Sequence, residues 1–399
     1  MNNREIFLQH IAQTSDAPLS LEITKAEGAI LFDANDRRYL DLIGGISVCN
    51  VGHGNQKVME AIRQQTERYL HVMVNGELIL SPQTNYAKLL CENLPGKLNS
   101  VFFTASGTEA TEGAMKLAKR YTGRSQIVSF NKSYHGSTQG ALSVMGSEYW
   151  RNAFRPLLPG VTHLTYNKVE ELEAIHNETA CVIAETVQAE AGVIVPDTAW
   201  LAALRKKCDD TGALLVLDEI QCGFGRNGTL WAFEQFDIVP DILLLGKALG
   251  GGMPLGAFIA DKSVMQSLSH DPVLGHINTF GGHPVCCAAG AAAMNFLIDN
   301  NIVDQVFEKQ QLFLRNLHSS KIKNIRSKGL MIALEFPYFD FNKKLIDALI
   351  SRANKHSVGL FTDWFLFAPE CLRITPPLTI SDEEIKMACY AIEETLGTL

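Results

Sequence analysis

Between residues 100 and 285 the chain alternates short β-rich runs with helical patterns, and few architectures accommodate that alternation. Strands separated by helix-length segments pair side by side as a parallel sheet with helices on both faces, an α/β core. The strand candidates are Ser100–Thr104, Gln126–Phe130, Cys181–Ala184, Ala213–Leu217, Asp241–Leu245 and Leu255–Ile259. Ligands of such sheets sit outside the carboxyl ends of the strands, so the residues closing each run are the candidates for chemistry. After Pro284 the pattern changes to a small-residue helix over Val285–Ile298 and an amphipathic one over Val303–Leu317. These are followed by a strand, Leu330–Phe336, a helix near Lys343–His356, the segment Cys371–Thr375 and a last helix, Asp382–Leu396. Hairpin-like pieces at Ala29–Phe32 and Arg38–Leu42 are too few to fold alone, so the N-terminal segment is expected to join the C-terminal part in space.

Composition removes several function classes. The 35 basic and 43 acidic residues give a net charge of −8, spread thinly, which argues against a nucleic-acid partner. The nine cysteines form no C-x-x-C pair and sit in apolar runs, so a reducing compartment, the cytoplasm, is expected. The start of the sequence has no apolar stretch of signal-peptide length. The longest uncharged stretch, Gly281–Ile298, is interrupted by Gly, His, Pro and Asn, so no membrane partner is expected.

Three strand ends carry chemistry. Val101-Phe102-Phe103-Thr104-Ala105-Ser106-Gly107-Thr108-Glu109 runs from a strand through a small turn into a helix, whose free N–H groups and hydroxyls suit a phosphate. The same residues also read as a capping box, Ser106-x-x-Glu109, needing no ligand. Leu214-Leu215-Val216-Leu217 ends in Asp218-Glu219, and an acid there faces the crevice, although a lone Asp is more often a cap. Asp241–Leu245 leads through Gly246 to Lys247 and then Gly250-Gly251-Gly252. An amine so wrapped in apolar residues has its pKa lowered and becomes nucleophilic, the behaviour of a Schiff-base lysine. A Walker A motif is excluded, because Asp241 and Ala248 stand where it needs Gly and Ser or Thr. Gly223-Phe224-Gly225-Arg226-Asn227-Gly228 matches a dinucleotide fingerprint, but follows two carboxylates that would repel a pyrophosphate.

Phosphate turn, strand-end Asp and strand-end Lys, in that order, resemble the fold-type I pyridoxal phosphate enzymes. Leu217-Asp218-Glu219-Ile220-Gln221-Cys222-Gly223 and Gly246-Lys247-Ala248-Leu249-Gly250-Gly251-Gly252-Met253-Pro254 resemble more narrowly the class III aminotransferases. Within these, the ending Leu372-Arg373-Ile374-Thr375-Pro376-Pro377 is similar to the acetylornithine/ornithine branch. The resemblance implies a mostly parallel seven-stranded sheet in a large domain over 51–284, and a smaller α+β domain over 285–399 that includes residues 1–50. It implies pyridoxal phosphate held by Lys247 as an imine, and Asp218 keeping the ring nitrogen protonated so that the ring acts as an electron sink. Tyr134 and Ile220 would cover the ring faces and Gln221 would contact the ring hydroxyl. Ser106, Gly107 and Thr108 would form the phosphate cup, with His135 and Glu185 also near the cofactor. Thr279 would reach the phosphate from a neighbouring subunit, which implies a homodimer with active sites at the interface.

On the substrate side the resemblance implies that Glu190 gates Arg373, covering it for the amino donor and releasing it to the α-carboxylate of a 2-oxo acid. Ile46 and Ser137 would also face substrate. The branch usually carries Arg where this chain has Ser137, and losing that guanidinium removes about 1.5–3 kcal/mol of carboxylate binding. Tyr134-His135-Gly136-Ser137-Thr138 looks more like the ω-amine:pyruvate transaminases, and Arg151 or Arg155 could supply the clamp instead. The expected activity is an ω-aminotransferase passing a terminal amino group to a 2-oxo acid, 2-oxoglutarate foremost, in a ping-pong cycle. A pyruvate-dependent transaminase or an aminomutase is the alternative within the fold, and a nicotinamide-dependent dehydrogenase the alternative outside it.

Overall fold

The computed structural model describes residues 1–399. Its centre is a seven-stranded sheet made of Ser100–Thr104, Gln126–Phe130, Val161–Leu164, Thr179–Glu185, Leu214–Asp218, Ile242–Leu245 and Gly256–Ala260. Six of these run in one direction, while Gly256–Ala260 alone is reversed, antiparallel to both its neighbours, Ser100–Thr104 and Ile242–Leu245. The mostly parallel sheet is therefore the expected one, with two differences from the sequence reading. The strand read at Leu255–Ile259 starts one residue later and reverses direction, because only the ten residues Gly246–Leu255, a 3₁₀ turn and a glycine-rich bend, separate it from the strand before; parallel neighbours need a longer crossover. Val161–Leu164 was not anticipated; it is a half-buried edge strand of mixed polarity, with no continuous apolar run to announce it.

Period-two alternation sorts the strand side chains between two cores. Ile183, Val216, Leu244 and Phe258 pack with the small-residue face of the helix Gly107–Thr122. Val182, Leu215, Leu217 and Leu243 pack on the opposite face with Trp200, Leu201 and Leu204 of the helix Thr198–Thr211. The helix Pro284–Asp299 lies against the helices Gln56–Arg68 and Ser81–Glu92.

Two four-stranded sheets flank this core. In one, the antiparallel strands Ile23–Glu27, Ile30–Asp33 and Arg38–Asp41 are joined by Gly359–Phe361, parallel to Arg38–Asp41. The other contains Asn324–Ser327, Ile332–Glu335, Ala368–Ile374 and Trp364–Phe365. The helix read over Val303–Leu317 is a short 3₁₀ turn, Val303–Gln305, followed by an α-helix, Val306–Arg315. No helix is long and apolar enough to cross a membrane.

Candidate active site

Strand register gathers the carboxylates at one end of the sheet. Glu185 and Asp218 close adjacent strands and are paired across the ladder, as are Asp218 and Leu244. Alternation along Leu214–Asp218 places Asp218 on the face of Leu214 and Val216, the face covered by the helix Gly107–Thr122. Lys247 follows two residues after the strand end at Leu245 and opens a 3₁₀ turn, Lys247–Gly250. Its φ of +48° is left-handed, a conformation costing a side-chain-bearing residue about 1 kcal/mol or more. That strain falls at the residue whose amine lines the crevice.

Ser106 caps the helix Gly107–Thr122, its Oγ accepting from the Glu109 N–H at 3.4 Å. The capping box does not close. The Glu109 carboxylate instead accepts from the Ala105 N–H at 3.0 Å and from Asn278 Nδ2 at 2.8 Å. The N–H groups of Gly107 and Thr108 find no acceptor in the chain, which leaves a helix N-terminus prepared for an anion. Opposite them Gly136 adopts φ +121°, and a Cβ there would run into the Thr108 side chain, so only glycine lets the two loops meet. Thr108 Oγ1 lies 2.8 Å from Thr138 Oγ1, which donates to Glu112 at 2.6 Å.

A cavity of about 400 Å³ opens at this point. Gly107, Thr108, Tyr134, His135, Ser137, Glu185, Asp218, Ile220, Gln221 and Lys247, all singled out in the sequence, line it. Lys247 Nζ donates to Gln221 Oε1 at 3.1 Å, and burial lowers the lysine pKa. Asp218 Oδ2 lies 2.7 Å from His135 Nδ1, and Oδ1 accepts from the Ile220 N–H at 2.9 Å. Glu185 accepts from the N–H groups of Tyr134 and Ala189, and burial pushes its pKa up to about 7. Two buried donors or acceptors, Gln221 Nε2 and His135 Nε2, have no partner in the chain. Unsatisfied buried groups are costly, and their concentration here marks a polar ligand's place.

A second cavity of about 540 Å³ shares Tyr134 and Lys247 with the first and adds Ile46, Glu190, Asp363 and Arg373. Glu190 and Arg373 form a bidentate pair, at 2.9 and 2.8 Å, although both are almost wholly buried. The guanidinium holds Glu190 down at about 2, against the desolvation that would raise it. Asp363, which the sequence reading missed, accepts from Arg373 Nε at 2.7 Å, and Phe365 lies under the guanidinium at 4.4 Å. Asp363 follows the short strand Gly359–Phe361, and no apolar run long enough to read as a strand points to it.

Some candidates fall elsewhere. Ser106 caps its helix without lining the cavity, and Thr279 is exposed outside it. Arg151 and Arg155 both engage Glu148 and line neither cavity. Glu219, beside Asp218 in sequence, turns away. It accepts from the N–H groups of Ala232 and Phe233 and from Thr186 Oγ1, and burial pushes its pKa up to about 7. The Gly223–Gly228 segment enters no helix as a dinucleotide loop would; Arg226 within it is buried and donates to Leu330 O, Pro376 O and Asn50 Oδ1.

The first cavity suits pyridoxal phosphate on its own chemistry. It offers an amine for the aldehyde, a buried carboxylate for the ring nitrogen, the unpaired Gln221 amide for a ring oxygen and free helix N–H groups for the phosphate. Comparison with known proteins agrees. Residues 11–396 match the sequence profile of the family Aminotransferase class-III. The chain is 36% identical to the acetylornithine aminotransferase of Methanopyrus kandleri, with 99% of each chain covered. Among solved structures, the ornithine aminotransferase of Toxoplasma gondii superposes with a TM-score of 0.90 at 29% identity, covering 99% of this chain and 93% of that one. An (S)-enantioselective omega-transaminase from Thermomicrobium roseum gives 0.89 at 30% identity, covering 99% and 97%. The chain therefore belongs to the class-III aminotransferases, enzymes that depend on pyridoxal phosphate.

Proposed function

We propose that this aminotransferase takes a terminal amino group from an ω-amine or ω-amino acid and passes it to 2-oxoglutarate. The observation that carries the reading is the meeting of the two cavities at Tyr134 and Lys247, with a masked arginine in the second. The acetylornithine and ornithine aminotransferases it resembles act, by name, on ω-amino donors. Bound pyridoxal phosphate supplies the electron sink that makes the donor's C–H bond acidic. Lys247, its pKa lowered by burial, would be the base that takes up and returns the donor's proton at Nζ. Asp218, steered by His135, would hold the ring nitrogen's proton, and Tyr134 and Ile220, which line the same cavity, would help to exclude water from it.

For the acceptor half-reaction, Glu190 swings off Arg373 and the α-carboxylate of the 2-oxo acid takes its place bidentately. Asp363 keeps the guanidinium in plane while this happens. Arg373→Ala is expected to cripple the acceptor half-reaction and leave the donor half-reaction nearly unchanged. It also strands the buried Glu190 carboxylate and the partly buried Asp363, so the melting temperature should fall, in keeping with about 3–5 kcal/mol for breaking a buried pair. Asp363→Asn should raise KM for the 2-oxo acid several-fold with kcat little changed; unchanged steady-state constants would remove Asp363 from this role.

Ser137 is an exposed hydroxyl 3.2 Å from Tyr134 Oη, with no cation beside it to hold a donor carboxylate. N-acetylornithine is therefore expected to be a poor donor. Ser137→Arg should raise kcat/KM for it about tenfold, or about 1.4 kcal/mol, without altering the acceptor half-reaction. A wild-type enzyme that already uses N-acetylornithine as well as its best donor would refute the argument. Ser137, within a segment similar to that of the ω-amine:pyruvate transaminases, favours a second reading, with pyruvate as acceptor. A donor screen against both acceptors separates the two.

A second copy of the chain completes the site in this proposal. Thr279 sits beside exposed Phe280 and Ile277, and the Phe280 ring lies tilted 5.1 Å from that of His71, near which in sequence Leu70, Val72 and Ile79 are also exposed. So much exposed apolar surface near the phosphate turn supports a homodimer interface. The free state of all nine cysteines supports a cytoplasmic location. Residues 51–284 form the cofactor domain, and 1–50 with 285–399 the smaller one, in the same proposal.

A further inference from the structure

The second cavity contains one ion pair that the gate does not use. Lys343 and Asp347, on the helix Phe339–Ser351, line the cavity together, and Lys343 Nζ lies 3.0 Å from each Asp347 carboxylate oxygen. Both side chains are about half exposed, so the pair contributes little to stability. Lys preceding Asp by four residues is also the weaker order for a helix pair. Every other ionic group on the cavity wall is engaged: Arg373 by Glu190 and Asp363, and Lys247 by Gln221. Lys247 and the pair line one cavity, whose apolar lining is formed mainly by Leu19, Ile46, Ile346, Trp364 and Leu366.

We propose that Lys343 and Asp347 form a subsite for the zwitterionic end of the amino donor, Lys343 taking its α-carboxylate and Asp347 its α-ammonium. The reasoning is electrostatic. A lone carboxylate at Lys343 meets the adjacent Asp347 charge, and a lone ammonium at Asp347 meets Lys343. A group carrying both charges about one α-carbon apart satisfies both, and displaces only a weak, solvated ion pair in doing so. The apolar side chains of the same cavity suit the methylene groups that join this end of the donor to its reacting amine. The subsite stands in for the guanidinium missing at Ser137, and it selects an α,ω-diamino acid with a free α-end over its N-acylated form. This rests on the aminotransferase reading above.

The test compares L-ornithine, N2-acetyl-L-ornithine and 1,4-diaminobutane as donors in single-turnover half-reactions of the holoenzyme. Ornithine should exceed both others at least tenfold in kcat/KM. Lys343→Gln should shrink the advantage over 1,4-diaminobutane, which lacks the carboxylate. Asp347→Asn should shrink the advantage over the acetylated donor, which lacks the ammonium. 1,4-Diaminobutane, whose distal ammonium Asp347 attracts and Lys343 repels, should be used better by Lys343→Gln and worse by Asp347→Asn. Calorimetric titration of borohydride-reduced wild type, which binds but cannot turn over, should give ornithine an affinity at least fivefold above that of either variant. Equal use of ornithine and 1,4-diaminobutane, or variants that weaken all three donors alike, would overturn the subsite while leaving the aminotransferase reading standing. Failure of every donor with cofactor bound would overturn both.

Discussion

Lys247→Ala is expected to abolish turnover, by about four orders of magnitude or more, equivalent to roughly 5.5 kcal/mol. No other primary amine lines the first cavity, and the glycine-rich turn beyond Lys247 offers no side chain to replace it. The fold should survive, because the amine's one hydrogen bond in the chain is to Gln221 and its truncation leaves the 3₁₀ turn intact. Borohydride reduction of the wild-type holoenzyme followed by peptide mapping should label Lys247 alone. A label on a different lysine would sink the assignment.

The second large effect is expected at Asp218. Asp218→Asn should retain pyridoxal phosphate yet lose at least about a hundredfold in rate, because an amide cannot hold the ring nitrogen protonated. An amide oxygen can still accept from the Ile220 N–H, and its other end can still meet His135, so the local structure should persist. Cofactor content by absorbance and single-turnover rate separate chemistry from binding. A rate loss below about tenfold, or about 1.4 kcal/mol, would make Asp218 a structural residue only.

Much of the core was legible because its signals are local. Leu214–Asp218 is an apolar run closed by a carboxylate, and Ile242–Leu245 a run closed by Gly246 and Lys247; each writes both its strand and its chemistry into about seven residues. What sequence alone left open was set by tertiary context. Asp218 and Glu219 read alike, yet strand alternation turns one toward the cavity while the other receives the N–H groups of Ala232 and Phe233. Ser106 and Glu109 fitted a capping box until Asn278, far along the chain, claimed part of the carboxylate. Asp363, Lys343 and Asp347 have no motif; only the folding of distant segments around one cavity identifies them. The direction of Gly256–Ala260 follows from the shortness of the turn before it, a clue that was present and outweighed by the pattern of the preceding strands.

The two cavities also differ in when they can come into being. Every residue lining the first lies between Gly107 and Lys247, and the last strand of the central sheet ends at Ala260. The second needs Leu19 and Ile46 from one end of the chain and Asp363 and Arg373 from the other. These ends are clasped by Thr375, whose N–H reaches Leu42 O at 2.6 Å and whose hydroxyl reaches Ile43 O across 332 residues of sequence. Synthesis delivers the chain from its N-terminus, and loop closure of that span is the slowest kind of contact to make. A nascent chain can therefore assemble its cofactor cradle while the strands at 23–41 still wait for Gly359–Phe361, and it acquires the means to choose a substrate only in its final stretch.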